Sequence, residues 1–600
     1  GNRARRAWPS GYVMSTMGDR DRIFGSAAMT QSLPDPTKWM LDLMKSEHTV
    51  LWPAGDLTEA SKAVASFMAP WTKAVAELGA LQLDMFQQLM SPWMAVVPGG
   101  TKPGEPIKDR RFAGEAWSKD PRFEAVARTY LAQTDAMFKA LEAAPLDERS
   151  KGQWGFALRQ ITDAISPANT LALNPEAMQL AMETGGASLI EGMKLFTEDL
   201  ALGRVQMTDS TAFEVGVNVA TTPGAVVFQN ELIQLIQYTA TTPKVHKRPL
   251  VIIPPCINKY YILDLQPANS FVAHAVAEGH TVFLASWRNA GPEQGNLTWD
   301  DYLEQGVLRA IDVALAISRA DQADTLGFCI GGTLLASALA VRAARDEHPA
   351  ASMTLLTTML DYSDTGEIGL LITDELMTSK EQALGKGGLQ KGSELAQVFA
   401  SLRSNDLIWP YVVKGYLKGH APPPFDLLYW NSDDTNLPGP MFCWYVRNTY
   451  LDNKLREPGA TAGAGEPIDL SAIDVPTFLY ASKDDHIVPW KTAYSSTELL
   501  SGDLTFLLGA SGHIAGVINP PAKNKRNYWV NNAEANKDKA ADADAWLEGA
   551  ESVPGSWWPT WYEWLAQHSG PKVNARKKLG SVEFTPIEDA PGSYVKQKAP

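Results

Sequence analysis

Apolar residues recur at three- and four-residue steps from Pro36 to about Leu200, over residues 39–44, 58–91, 112–142 and 153–163, which predicts a succession of amphipathic helices. Pro103-Gly104 and Pro106 interrupt the pattern, and Ser166-Pro167 and Asn174-Pro175 read as helix starts, a capping side chain followed by proline. No strand pattern competes before residue 210. Leu81, Met85, Phe86, Leu89, Met90, Trp93 and Met94 share one helical face, which suits ordinary core packing or a contact with a second copy or an apolar polymer.

After Phe213 the texture changes to short β-rich runs at residues 225–228, 232–236, 250–253 and 281–285, separated by helical stretches at 270–278 and 302–320. That alternation predicts a mostly parallel sheet, and residues 326–328 and 353–356 continue it. From about residue 360 to 470 the alternation stops and the composition turns aromatic, as in Trp409-Pro-Tyr411 and Tyr429-Trp430, so this stretch reads as a cap inserted over the sheet. Pro458-Gly459 and Gly463-Ala-Gly465 lead back to two further strands, at 475–480 and 504–508. The expected organisation is an extended or disordered start (1–35), a helical N-terminal domain (36–212), an α/β domain with its cap (213–570) and a C-terminal tail (571–600).

Six hundred residues exceed what one core normally organises, and a net charge of -15 argues against a nucleic-acid or anionic-membrane partner, which surplus Lys and Arg would have to hold. Three cysteines, Cys256, Cys329 and Cys443, cannot form a disulfide framework, and nine scattered histidines offer no metal cluster. A reducing cytoplasm, no metal and no cofactor are expected. No apolar run is long enough to span a bilayer, and Arg3-Ala-Arg-Arg-Ala-Trp8 lacks the apolar region of a secretory signal.

Gly327-Phe-Cys329-Ile-Gly331-Gly332 places a cysteine where a strand must turn sharply into an Ala/Leu-rich helix. With 46 glycines in 600 residues and three cysteines, chance supplies roughly 0.02 such Gly-x-Cys-x-Gly patterns. The turn strains the nucleophile's backbone, and the helix aims its first amides at the sulfur, favouring thiolate. On this architecture an acid and then a histidine should follow, each just after a late strand. Asp485, with Asp484 as its neighbour and competitor, comes after the strand at 475–480, and His513 comes after the strand at 504–508. His486 adjoins the acid and has at most a supporting role. Two amides should receive the tetrahedral oxyanion: that of Ile330, and one from Pro254-Pro-Cys256-Ile257, where the prolines have no N–H and Cys256 or Ile257 must supply it.

Phe328-Cys-Ile-Gly-Gly-Thr333, Pro254-Pro-Cys-Ile-Asn-Lys-Tyr-Tyr, Asp485-His-Ile-Val-Pro-Trp490, Ser511-Gly-His-Ile-Ala-Gly516 and Gly555-Ser-Trp-Trp-Pro559 closely resemble the polyhydroxyalkanoate synthases, particularly class I. The resemblance implies an α/β-hydrolase fold and an acyltransferase that polymerises (R)-3-hydroxyacyl-CoA, with 3-hydroxybutyryl-CoA favoured by Phe328, and releases CoA. It implies Cys329 as nucleophile, His513 as base and Asp485 as its acidic partner, a homodimer with Trp430 at its contact, and residence on polymer granules with possible granule-associated protein partners. Sulfur suits such a reaction: exchanging one thioester for another is nearly thermoneutral, and attack by a hydroxyl then runs downhill to an oxoester. Coenzyme A phosphates need local cations in so acidic a chain, and Arg403 and Lys259 are the candidates. The rival readings are a cysteine-type hydrolase (thioesterase or polyester depolymerase) and a non-catalytic granule-surface protein.

Overall fold

The computed structural model describes residues 105–531 and 542–599. The Met- and aromatic-rich face at 81–94, the other helices expected before residue 105 and the start at 1–35 lie outside them.

Five helices fill the first described hundred residues: α1 Glu115–Lys119, α2 Pro121–Glu142, α3 Glu148–Ala164, α4 Pro175–Glu183 and α5 Ala187–Leu202. The starts of α2, α3 and α4 are set by capping carboxylates and an amide. Asp120 accepts from the Arg122 amide before Pro121, Asp147 from the Ser150 amide, and Asn174 from the Ala177 amide before Pro175. Ser166-Pro167, by contrast, opens only a single 3₁₀ turn, Pro167–Asn169, with no side-chain cap. A small core of Phe112, Trp117, Ala127, Tyr130 and Ala168 joins α1 and α2.

Among the described residues the main sheet has eleven strands. They are β1 Gly224–Gln229, β2 Ile233–Tyr238, β3 Leu250–Ile253, β4 Val282–Trp287, β5 Ala323–Phe328, β6 Ala350–Leu356, β7 Thr477–Ser482, β8 Leu504–Gly509, β9 Asn527–Val530, β10 Glu551–Pro554 and β11 Glu588–Asp589. Their spatial order is β10-β9-β8-β7-β6-β5-β3-β4-β2-β1-β11. The segment from β4 through β8 is parallel, and both edges are antiparallel. Every residue of β3, β4, β5 and β7 is buried, as expected of strands covered on both faces.

The edge strands differ from the sequence expectation. Glu551-Ser-Val-Pro554 has no apolar run, because it lies at the sheet margin with its side chains largely exposed. The last thirty residues, expected as a tail, pack back on the α/β domain. Lys572–Asn574 pairs with Lys244–His246, and β11 pairs with β1. Neither segment announces itself by periodicity, since two or three residues suffice for the pairing.

The chain leaves the sheet after β6 and returns at β7 through helices that include Asp374–Leu384, Gly392–Leu402, Asp426–Asn431 and Gly439–Val446. The N-terminal helices dock on this insertion. The Gln153 amide donates to the Leu370 carbonyl at 2.9 Å, Gln160 to the Ser401 carbonyl at 2.8 Å, and the Ser404 and Tyr416 hydroxyls to Asp163 and Asp199 at 2.8 and 2.6 Å. Phe156 packs there with Ile368 and Leu402, and Tyr450 and Ile487 close the same cluster.

Helix Trp558–His568 covers the sheet with a tryptophan anchor: Trp561 is fully buried and donates its indole N–H to the Thr354 hydroxyl at 3.0 Å. Trp561→Ala is expected to lower stability by about 3–5 kcal/mol, through lost burial and the cavity left behind. Thermal or denaturant unfolding checks this, and a change below about 1 kcal/mol would refute the anchoring role.

Candidate active site

Cys329 sits between β5 and the helix Ile330–Ala344 with φ +54° and ψ -127°, a conformation that L residues rarely adopt. Neighbouring backbone holds it there. Its amide donates to the Leu356 carbonyl at 2.9 Å, and its carbonyl accepts from the Thr358 hydroxyl at 3.2 Å. Glycine is required where the turn crosses β3, because a Cβ on Gly331 would overlap the Ile253 and Pro254 carbonyls. The same close approach brings the end of β3, and hence the loop 254–258, beside Cys329.

His513 is the first residue of the short helix His513–Val517 after β8. Its Nδ1 lies 2.6 Å from Asp485 Oδ2. The other oxygen, Asp485 Oδ1, accepts the Ile487 and Val488 amides at 2.8 and 2.9 Å, which fixes the carboxylate in the turn after β7. Asp484, the competing acid, is exposed, so only Asp485 reaches the ring. Burial lowers the pKa of His513, but the Asp485 carboxylate and the Cys329 sulfur, by charge and hydrogen bonding, outweigh it and raise the imidazole to about 10. Phe328 stacks beneath the same ring, with centroids 5.8 Å apart.

The Ile330 amide is the first of its helix and has no backbone partner among the described residues, and neither does that of Ile257, whereas the Cys256 amide lies against its own thiol. The Cys256 thiol is buried, and its pKa is pushed far up by desolvation and then by the nearby Cys329 sulfur. Cys443 stands apart on Gly439–Val446, buried, with its thiol raised to about 11 by desolvation and by Glu381.

Residues 108–275 match the family described as Poly-beta-hydroxybutyrate polymerase (PhaC) N-terminus, and residues 249–520 match the alpha/beta hydrolase fold. The chain is 51% identical over 531 residues to the poly(3-hydroxyalkanoate) polymerase subunit PhaC of Cupriavidus necator, covering 88% of this chain and 89% of that one. The chain belongs to the poly(3-hydroxyalkanoate) polymerase family. Poly(3-hydroxyalkanoate) polymerase 2 of Ectopseudomonas oleovorans is 37% identical, covering 83% and 88% of the two chains. Among solved structures, a monoacylglycerol lipase from Paleococcus ferrophilus covers 56% of this chain and 99% of its own, with 13% identity and a TM-score of 0.33. The expected acyltransferase on an α/β-hydrolase fold is thus the right class.

In this polymerase the remaining candidates are dispersed. His486 turns its ring into the protein. Its Nδ1 has no partner among the described residues, and burial, helped by Arg403 and His513, lowers its pKa to about 4 against the pull of Asp485 and Asp406. Arg403 is half-exposed and paired with Asp406 at 2.6 Å. Lys259 is only 2% exposed and donates to the Gln597 carbonyl at 2.6 Å, so its ammonium does not face an arriving phosphate. Trp430 is buried, with its indole N–H on the Lys259 carbonyl at 2.6 Å, and presents no surface to a second subunit.

Three tyrosines escaped the sequence reading of this polymerase. The Thr333 hydroxyl lies 3.0 Å from Tyr362 OH, which lies 3.3 Å from Tyr445 OH, and Tyr450 packs edge-on to both rings. Burial raises the pKa of all three phenols and the Cys329 sulfur adds to it, so they stay neutral donors near that sulfur. Their signal was present only as general aromatic richness in the cap, since Tyr362 is some eighty residues from the other two.

The raised imidazole pKa makes folding pH-dependent. The folded protein keeps a proton on His513 that the unfolded chain releases near the ordinary value of about 6.5. Its contribution is complete below that value and is lost as pH climbs towards about 10. Between pH 7 and 10, wild-type melting temperature is expected to fall more steeply than that of His513→Gln; parallel slopes would contradict a raised pKa.

Proposed function

We propose that Cys329 is the nucleophile of polymer growth, His513 its proton carrier and Asp485 the group that orients and charges the imidazole. The observation that carries this reading is the buried Nδ1 to Oδ2 contact of 2.6 Å between His513 and Asp485, with the Cys329 sulfur acting on the same ring. With the proton already held on His513, the Cys329 sulfur attacks as thiolate at the thioester carbonyl of a 3-hydroxyacyl-CoA. The bond from carbonyl carbon to CoA sulfur breaks, and the CoA thiolate leaves with the proton from His513. A 3-hydroxyl then gives its proton to His513 and attacks the Cys329 thioester. The carbon–sulfur bond breaks, an oxoester forms, and the released sulfur is again paired with the protonated His513. Ile330 and either Cys256 or Ile257 donate their amides to the oxyanion in both tetrahedral states.

Cysteine favours transfer over hydrolysis because the acyl group is stored as a thioester, leaving a downhill step for the hydroxyl. Water must still be excluded, and the closed tyrosine wall together with the apolar cap suits that need. Phe328 occupies the space under His513 and favours short acyl chains, 3-hydroxybutyryl-CoA among them. Arg403, the more exposed of the two candidate cations, remains the one suited to a CoA phosphate. The reading also includes a homodimer, a cytoplasmic location at the surface of polymer granules, and no cofactor. Among the described residues no helix is long and apolar enough to cross a membrane. Trp430, being buried, would influence a dimer only by shaping Asp426–Asn431 from inside.

Cys329→Ala is expected to abolish CoA release from 3-hydroxybutyryl-CoA, by at least about 10³-fold, while Cys443→Ala retains it within about threefold. Cys256→Ala, which keeps its backbone amide, is expected to retain most of it. Equal loss in all three would refute the assignment. Weighing the product separates the rival enzyme: high-mass polyester supports polymerisation, and free hydroxy acid supports a hydrolase.

A further inference from the structure

The C-terminal segment meets the loop that carries the second oxyanion donor. Lys259 follows Cys256 and Ile257 by three and two residues and opens the 3₁₀ turn Tyr260–Leu263. A cation in so buried a place costs free energy that an apolar side chain would not. Desolvation, with Lys598 adding to it, lowers its pKa to about 8 against the pull of Asp433. What the lysine gains is geometry. Its ammonium donates to the Gln597 carbonyl at 2.6 Å, and its own carbonyl accepts the Trp430 indole N–H at 2.6 Å.

The next residue of the segment is tied to the same place. Lys598 pairs with the buried Asp433 carboxylate at 2.7 Å, and Asp433 also accepts the Tyr261 hydroxyl at 2.9 Å. The Lys598 carbonyl accepts from Asn289, which follows β4, at 3.2 Å. On the other flank the Trp287 indole donates to the Pro254 carbonyl at 2.8 Å. The loop 254–258 is thus fixed at its start by the sheet and at its end by a strap from the far C-terminus.

We propose that Lys259, Gln597 and Lys598 are positioning residues for acyl transfer: the C-terminal strap holds the loop so that its free amide points at the oxyanion formed on Cys329. The proposal rests on the reading of Cys329 and the loop amides given above. None of the three side chains touches the reacting atoms. Their effect is exerted through backbone placement, and an ångström of error there weakens a donor that matters only in the tetrahedral state.

The test uses the chain ending at Lys596, and separately Lys598→Met, in two assays of the same sulfur. Alkylation of Cys329 by iodoacetamide is a displacement at carbon with no oxyanion, whereas CoA release from 3-hydroxybutyryl-CoA passes through one. Shortening the chain is expected to slow CoA release, normalised to alkylatable Cys329, by about 10- to 100-fold, with the alkylation rate unchanged within about twofold. Lys598→Met should show the same dissociation, at threefold or more. If both variants lose alkylation and CoA release in parallel, or keep both, the strap is not a positioning device and the proposal is wrong. The underlying reading fails separately, if Cys329→Ala in the full chain still releases CoA.

Discussion

A strained backbone at Cys329 is the constraint to which the rest of the structure answers. A φ of +54° is unfavourable for cysteine by something on the order of 1–3 kcal/mol, and it persists only where the surroundings over-determine it. Here β6 holds the amide, Thr358 holds the carbonyl, and the glycine after the nucleophile lets the new helix pass against the end of β3. The strain lifts the sulfur out of the sheet at the head of a helix whose first amide is free. It also brings two chain segments, separated by some seventy residues in sequence, against each other at the turn.

The charge arrangement follows from burial. In water an imidazole beside a carboxylate gains little. Inside the protein the same pair dominates, because neither partner has competing solvent and Asp485 is already fixed by two backbone amides. His486, one residue away, shows the opposite outcome under the same desolvation: without a direct carboxylate contact its pKa falls. The two histidines therefore part company because one has a carboxylate and a sulfur in direct contact and the other does not. The tyrosines complete the picture, since phenols that stay neutral give the site hydroxyl donors without adding negative charge near the Cys329 sulfur.

Much of this was legible in the amino-acid order. Strands β1 to β8 each contain a short, mostly buried apolar run that marks them in the sequence, and the Gly-x-Cys-x-Gly turn, the acid and the histidine follow the strands that position them. The edge strands and the C-terminal strap were not legible, because pairings of two to four residues with exposed side chains leave no periodic trace. Lys259 and Trp430 illustrate the other limit. Lys259 reads as a candidate cation for a phosphate, and the family resemblance makes Trp430 a dimer contact, yet each is internal, the Trp430 indole on the Lys259 carbonyl and the Lys259 ammonium on the Gln597 carbonyl. Burial of single polar side chains depends on which distant segment covers them, and that information lies in the tertiary fold.

The account stands on one covalent bond, between the acyl carbonyl and the sulfur at the strained turn. Rapid acid quenching after mixing with 3-hydroxybutyryl-CoA, followed by digestion and mass spectrometry, examines it directly. The account predicts a hydroxyacyl mass increment on the peptide that contains Cys329 and on no other cysteine. An increment on the Cys256 or Cys443 peptide, or turnover with no acylated peptide at any quench time, would contradict it.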